Sequence, residues 1–335
     1  MNWKNQTILI TGGTGSFGKA CTRILLDKFQ PEKIIIFSRD ELKQHEMREA
    51  GFDQPNLRYF IGDVRDKERL QRAMDGVNVV IHAAALKQVP ACEYNPMEAI
   101  KTNILGTANV VEAALENSVE KVLALSTDKA VNPANLYGAT KLAAEKLIVQ
   151  SNAYSGKRPT RLACVRYGNV VGSRGSVAPI FLRQRDTGKL TITDERMTRF
   201  WLSLEQGVHF VLSCIEVMQG GEVFVPKLPS TTITDLAKAV APQAKLDVVG
   251  IRPGEKLHEV LISEDEARSA VELDDMYVIQ PAQGPFFVHS WGKKGRALPD
   301  GFRYASNENK DMLSPAQIQE IIAPIEAEMK AGKLS

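Results

Sequence analysis

The chain has 335 residues, 44% of them hydrophobic, with 42 basic and 40 acidic side chains and a net charge of +2. That is enough chain for one large domain or two coupled ones around a sizeable core. The balanced charge leaves no footprint for nucleic acid, and no apolar run approaches the roughly 18 residues of a membrane span.

Strand-like apolar runs fall at residues 7–10, 33–37, 57–61, 78–83, 122–126 and 161–166, with a later one at 222–225. Amphipathic stretches at 16–29, 40–50, 67–74, 96–117 and 136–153 lie between them. Continuous apolar strands alternating with helices predict an α/β fold with a doubly wound parallel sheet covered on both faces. Beyond residue 167 prolines and glycines interrupt the pattern, with short helices predicted at 177–185, 204–218 and 234–241 and a tail helix at 315–330. The expected division is a nucleotide-binding Rossmann domain at 1–167, rejoined by 204–226. A smaller C-terminal α/β substrate-binding region follows, from 168–203 and 227–335. Cys21, Cys92, Cys164 and Cys214 form no C-x-x-C and no metal spacing with the five histidines. No metal site is expected, and the thiols read as reduced and buried, as in a cytoplasmic protein. The polar start at residues 1–6 does not read as a signal peptide.

The first strand runs into Thr11-Gly12-Gly13-Thr14-Gly15-Ser16-Phe17-Gly18, and a helix pattern follows. Gly12, Gly15 and Gly18 permit a tight turn and close backbone approach, placing a pyrophosphate at a helix N-terminus. The second strand ends in Ser38-Arg39-Asp40. An acid there suits the 2′-hydroxyl of NAD, and an arginine suits the 2′-phosphate of NADP. Ser38 and Arg39 favour NADP; Asp40 keeps NAD open or caps the next helix. At the end of the third strand Asp63, beside Val64, is an acceptor for the adenine amino group. Ala83 and Ala84 end the fourth strand with side chains small enough to lie against a cofactor. His82 reads as a packed, hydrogen-bonded core histidine.

Ser126-Thr127-Asp128-Lys129 precedes Tyr137-Gly138-Ala139-Thr140-Lys141. Tyr137 and Lys141 are four apart in a predicted helix and share one face. An ammonium beside a phenol favours the phenolate, which suits removal of a sugar hydroxyl proton while hydride leaves the same carbon. Asp128 and Lys129 then add an acid and a base that alcohol oxidation does not need.

Together, the glycine loop, His82-Ala83-Ala84 and Tyr137-x-x-x-Lys141 resemble the extended short-chain dehydrogenase/reductases that modify nucleotide sugars, over about residues 5–265. The finer likeness rests on Phe37-Ser38-Arg39-Asp40-Glu41, Ala83-Ala84-Ala85-Leu86-Lys87 and Glu93-Tyr94-Asn95-Pro96. It extends through Ser126-Thr127-Asp128-Lys129-Ala130, Arg166-Tyr167-Gly168-Asn169-Val170, Gly172-Ser173-Arg174-Gly175-Ser176 and Arg252-Pro253-Gly254-Glu255-Lys256. These segments are similar to the soluble, inverting UDP-N-acetylglucosamine 4,6-dehydratases that open the route to pseudaminic acid. The resemblance implies UDP-N-acetylglucosamine as substrate, a tightly bound NADP that is recycled, and a homo-oligomer, dimer or hexamer. Thr127, Asp128, Lys129, Tyr137 and Lys141 are then catalytic. Thr127 bonds the 4-oxygen, Lys129 takes the C5 proton, and Asp128 protonates the departing 6-hydroxyl, the last two roles being exchangeable. A basic Lys129 needs a lowered pKa, expected from burial and nearby positive charge. Lys87 is placed for cofactor or substrate. Asn169, Arg174, Arg199 and Arg252 are candidates for the diphosphate and acetamido groups, and Glu255 for the uridine ribose. The rival readings are a UDP-sugar 4-epimerase, a retaining 4,6-dehydratase and an NADP-binding regulatory protein.

Overall fold

The computed structural model describes residues 1–171, 177–281 and 291–330. Its first half alternates β1 (Thr7–Thr11), α1 (Ser16–Ile24), β2 (Lys33–Ser38), α2 (Glu41–Glu49), β3 (Leu57–Ile61), α3 (Lys67–Ala73) and β4 (Val79–His82). It continues through α4 (Val89–Tyr94), α5 (Pro96–Ile100), α6 (Gly106–Glu116), β5 (Lys121–Thr127), α7 (Leu136–Gln150) and β6 (Arg161–Tyr167). β1 and β4 are buried at every position and β2 at all but its first residue, as strands covered on both faces must be. Asp40 caps α2 through the Lys43 N–H, and Asp66 caps α3 through the Arg69 N–H.

Strands β3, β2, β1, β4, β5 and β6 lie side by side in that order, all parallel. The order reverses between β1 and β4, so the loops after these two strands open the crevice where ligands of such sheets bind. After β6 the chain forms β7 (Asn169–Val170), α8 (Val177–Gln184), β8 (Lys189–Ile192), β9 (Thr198–Leu202) and α9 (Leu204–Val217). α9 packs on α1, and β10 (Val223–Pro226) adds to the sheet beside β6 with Val223 opposite Cys164.

The remaining elements are β11 (Ser230–Thr232), α10 (Ile233–Val240), β12 (Lys245–Val248), β13 (Val260–Ile262), α11 (Glu264–Ala267), β14 (Ala270–Glu272) and β15 (Met276–Ile279). α12 (Trp291–Lys294), β16 (Arg296–Ala297), β17 (Tyr304–Ala305) and α13 (Pro315–Lys330) complete the chain. β15, β14 and β16 extend the large sheet antiparallel beyond β10. A second apolar cluster joins Phe181 of α8, Trp201 of β9, Leu236 of α10 and Ile318, Ile322 and Ile325 of α13. Phe200 is fully buried in the main core.

Three features depart from the expected elements. The helix expected at 96–117 widens into one π turn at Lys101–Leu105 between α5 and α6. There the buried Asn103 grips the Leu86 backbone, donating to its carbonyl at 2.9 Å and accepting from its N–H at 2.8 Å. The helix expected at 16–29 likewise ends in a π turn, Leu25–Phe29. α4 and, apart from β10 at the expected run 222–225, the short strands after β6 show no periodic signal of their own. Among the described residues, no helix is long and apolar enough to cross a membrane, and no acidic, histidine or cysteine cluster is fit to hold a metal. All four cysteines are free and buried.

Candidate active site

The glycine loop is built as a cradle. Gly12 adopts φ +66°, and a Cβ there would meet the Ala84 Cα and N at 3.0 Å. A Cβ on Gly18 would lie 2.3 Å from the Gly13 carbonyl oxygen, so the turn closes only with hydrogen at that position. Gly15 precedes α1 with no side-chain cap, so the first N–H groups of the helix are left to an outside acceptor. Thr14 and Ser38 share a hydrogen bond of 2.9 Å, and the N–H groups of Ala83 and Ala84 both donate to Thr11 Oγ1 at 3.2 Å. This backbone geometry fits a dinucleotide pyrophosphate.

At the adenosine end, Arg39 is exposed and its guanidinium lies 3.8 Å from Asp63. Arg65 takes the same carboxylate with its backbone N–H, Nε and Nη2, so Asp63 has fewer free lone pairs for adenine than its position suggests. Burial alone would raise the Asp63 pKa; the Arg65 hydrogen bonds reverse that and hold it below the ordinary carboxylate range. The Val64 side chain is buried against Gly106, and its carbonyl accepts from Asn109 at 3.0 Å.

The catalytic candidates meet where β5 ends and α7 begins. Asn135 caps α7 through the Gly138 N–H. A Cβ on Gly138 would lie 2.2 Å from the Lys129 carbonyl oxygen, so the loop bearing Asp128 and Lys129 lies directly against the helix bearing Tyr137 and Lys141. Thr127 Oγ1 donates to Asp128 Oδ1 at 2.7 Å, and Lys129 Nζ donates to the same oxygen at 3.1 Å. Asp128 is 1% exposed, and its Oδ2 has no hydrogen-bond partner. Lys129 Nζ also donates to Asn169 Oδ1 at 3.3 Å and lies 3.5 Å from Glu259 Oε1.

The electrostatics correct two expectations. Burial pulls the Lys129 pKa down, but Asp128, Glu259 and Tyr137 outweigh it and hold the pKa above its ordinary value, so the resting Lys129 is an ammonium. The positive neighbours expected to lower it are outnumbered by carboxylates. Burial likewise pushes the Tyr137 phenol up to about 12, and Lys129 is the cation that opposes this. Lys141 turns its ammonium to the Leu125 carbonyl, 2.6 Å away, and burial lowers its own pKa.

The other binding candidates separate. Asn169 reaches the catalytic cluster. Lys87 stands exposed just past β4, on the segment that Asn103 holds, and desolvation lowers its pKa. Arg199 spends its guanidinium on the carbonyls of Thr198, Leu257 and Lys256 and on Glu259, 3.7 Å away. Its expected phosphate contact thus competes with four acceptors from the protein itself. Arg252 is largely exposed and 4.0 Å from Glu255. The loop that carries both docks beside the catalytic segment, where Asn135 donates to the Gly254 carbonyl at 2.9 Å and Lys256 to that of Val131 at 2.5 Å. Arg174 lies outside the described residues. Glu259 was missed; only its place three residues after Lys256 could have drawn notice.

A family model described as polysaccharide biosynthesis protein matches residues 8–281. The chain belongs to that family. Within it, the chain is 56% identical to the UDP-N-acetylglucosamine 4,6-dehydratase (inverting) of Campylobacter jejuni subsp. jejuni serotype O:2, over 96% of this chain and 98% of the relative. It is 44% identical to a UDP-glucose 4-epimerase of Rickettsia canadensis, over 95% of each. Among solved structures, Pen from Bacillus thuringiensis superposes with a TM-score of 0.87 at 37% identity, covering 97% of this chain and 99% of that one. DesIV, a dTDP-glucose 4,6-dehydratase of Streptomyces venezuelae solved with NAD, superposes with a TM-score of 0.66 at 22% identity, covering 75% and 86%; this shows the shared fold alone.

Proposed function

We propose that this polysaccharide biosynthesis family member is a configuration-inverting UDP-N-acetylglucosamine 4,6-dehydratase, a hydro-lyase opening the pseudaminic acid route. The observation that carries this reading is the pair of buried Asp128 and half-buried Lys129 beside Tyr137, an acid and a base beyond what alcohol oxidation requires. The 56% identity to an inverting dehydratase supports it. In this reading residues 1–167 with 204–226 hold the cofactor, and 168–203 with 227–335 hold the sugar nucleotide, in a cytoplasmic homo-oligomer.

Burial keeps Tyr137 protonated at rest, so it first gives its proton to solvent. As phenolate it takes the 4-hydroxyl proton while Thr127 hydrogen-bonds the 4-oxygen, which returns it to the resting phenol. The glycine cradle with Ser38 and Arg39 would hold NADP, which would supply a hydride acceptor for C4 and the hydride donor for C6. Lys141 holds the nicotinamide ribose, and Ser38 and Arg39 favour the 2′-phosphate over NAD. The ketone makes the C5 proton acidic. Moving one proton across the 3.1 Å Lys129–Asp128 bond converts the resting ion pair into a neutral amine and a carboxylic acid. Lys129 then removes the C5 proton and Asp128 protonates the leaving 6-oxygen; water departs, C5 and C6 become doubly bonded, and the ion pair is restored. After hydride reaches C6, C5 takes a solvent proton on the opposite face, which inverts it. Asn169, Arg174, Arg252 and Glu255, with Lys87, serve as the sugar-nucleotide contacts.

The second reading, a UDP-sugar 4-epimerase, is favoured by the 44% identical relative of that name. Incubating the purified protein with UDP-N-acetylglucosamine in D₂O without added cofactor, followed by NMR, separates them. The expected product is a 4-keto-6-deoxy sugar with inverted, deuterated C5, and NADP is the nucleotide released on denaturation. UDP-N-acetylgalactosamine without deuterium would establish the epimerase, and unchanged C5 configuration the retaining dehydratase.

A further inference from the structure

We propose that Glu259 is a positioning residue for the elimination step, the third member of an Asp128–Lys129–Glu259 unit; this rests on the dehydratase reading above. Glu259 immediately precedes β13, and its backbone is clamped on both sides by Ser306. Ser306 Oγ accepts from the Glu259 N–H at 2.9 Å, and the Ser306 N–H donates to the Glu259 carbonyl at 2.8 Å. The side chain is 4% exposed. An isolated buried carboxylate is costly, and among the described residues the cations in ion-pair reach of this one are Lys129 at 3.5 Å and Arg199 at 3.7 Å.

An ammonium has three donors, and three acceptors face Lys129 Nζ. They are Asp128 Oδ1 at the end of β5, Asn169 Oδ1 on β7 and Glu259 Oε1 ahead of β13. Three separate elements thus fix the nitrogen. No acceptor set drawn from the catalytic loop alone would do so, because Asp128 adjoins Lys129 in sequence and swings with it. Glu259 Oε2 is buried without a partner, as is Asp128 Oδ2. Two unpartnered carboxylate oxygens beside one ammonium are an arrangement that a purely structural ion pair would avoid.

The charged and titratable groups around Lys129 are Asp128 beside it, Tyr137 from α7, Glu259 ahead of β13 and the like-charged Lys256. Lys256 and Arg199 also offset the Glu259 charge. Removing the Glu259 charge leaves Lys129 with one carboxylate, which loosens its position and makes its proton easier to lose.

The test compares wild type, Glu259→Gln and Glu259→Asp in single turnovers of UDP-N-acetylglucosamine across pH. Reduced-nicotinamide absorbance follows C4 oxidation, and the 4-keto-6-deoxy product follows elimination. For Glu259→Gln the expected result is elimination slowed about 10²-fold. C4 oxidation and thermal midpoint stay near wild type, the reduced cofactor accumulates, and the basic limb of the elimination profile moves to lower pH. Glu259→Asp restores part of the rate. Parallel loss of both half-reactions with a lowered midpoint and no pH shift, or wild-type behaviour in Glu259→Gln, would overturn the proposal. Wild type yielding only an epimer would overturn the dehydratase reading instead.

Discussion

His82 illustrates how the partners of a single side chain decide its state. Thr107 donates its hydroxyl to the Asn103 carbonyl at 2.7 Å, so at 3.0 Å it accepts from His82 Nε2. Thr11 Oγ1 already accepts from two backbone N–H groups, so its own proton goes to His82 Nδ1 at 2.7 Å. A second ring proton has no acceptor, and burial, aided by the Lys141 charge, pushes the His82 pKa down to about 3. A depressed folded-state pKa stabilises above the unfolded value of about 6.5 and loses that contribution as pH falls toward the folded one. At about 1.4 kcal/mol per unit, the loss between pH 6.5 and about 3 is on the order of 4 kcal/mol. His82→Gln should flatten that part of the stability–pH curve; urea unfolding of both proteins at stepped pH measures it, and parallel curves would refute the assignment.

At the scale of elements, α7 presents Tyr137, Lys141 and Glu145 four apart on one face. The first two belong to the candidate site, and the third anchors the helix. Fully buried Arg166 of β6 grips both Glu145 oxygens, both Glu266 oxygens of α11 and the Leu261 carbonyl of β13. One guanidinium therefore ties the helix of Tyr137 to the strand that follows Glu259. Arg166→Met leaves the buried Glu145 and the half-buried Glu266 without their cation and should cost about 3–5 kcal/mol. Adding Glu145→Gln and Glu266→Gln should recover part of it, since the loss comes mainly from unpaired charge. Denaturant midpoints of the single and triple variants decide between this and a simple packing loss.

Over the whole molecule, two apolar clusters divide the work of burial. The main one fills both faces of the sheet, and the smaller one gathers α8, β9, α10 and α13. Fully buried Ile318 lies in the smaller cluster. Ile318→Ala removes packed volume there and should cost about 2–5 kcal/mol. Hydrogen exchange should rise across α8, α10 and α13 and leave β1, β4 and β5 protected; uniform loss of protection would mean that the clusters unfold as one.

Local signals were enough for the alternating half of the fold. Apolar runs covered on both faces, glycines that a tight turn requires, and the four-residue spacing of Tyr137 and Lys141 are short-range features, readable wherever periodicity is strong. The α/β sheet, the glycine cradle and the Thr127–Lys129 segment were legible for that reason. Apart from β10, which the run at 222–225 announced, the later strands are two to five residues long and most pair with distant partners, so no window of sequence contains their signal. The charge state of Lys129 was beyond local reading for the same reason. Asp128 is its neighbour in the chain, but Asn169 and Glu259 reach it only because β7 and the approach to β13 converge on the end of β5. The sequence by itself determined which chemical groups the candidate site brings together. Only the tertiary structure decided their protonation and their third partner, because burial and opposing charge act through space rather than along the chain.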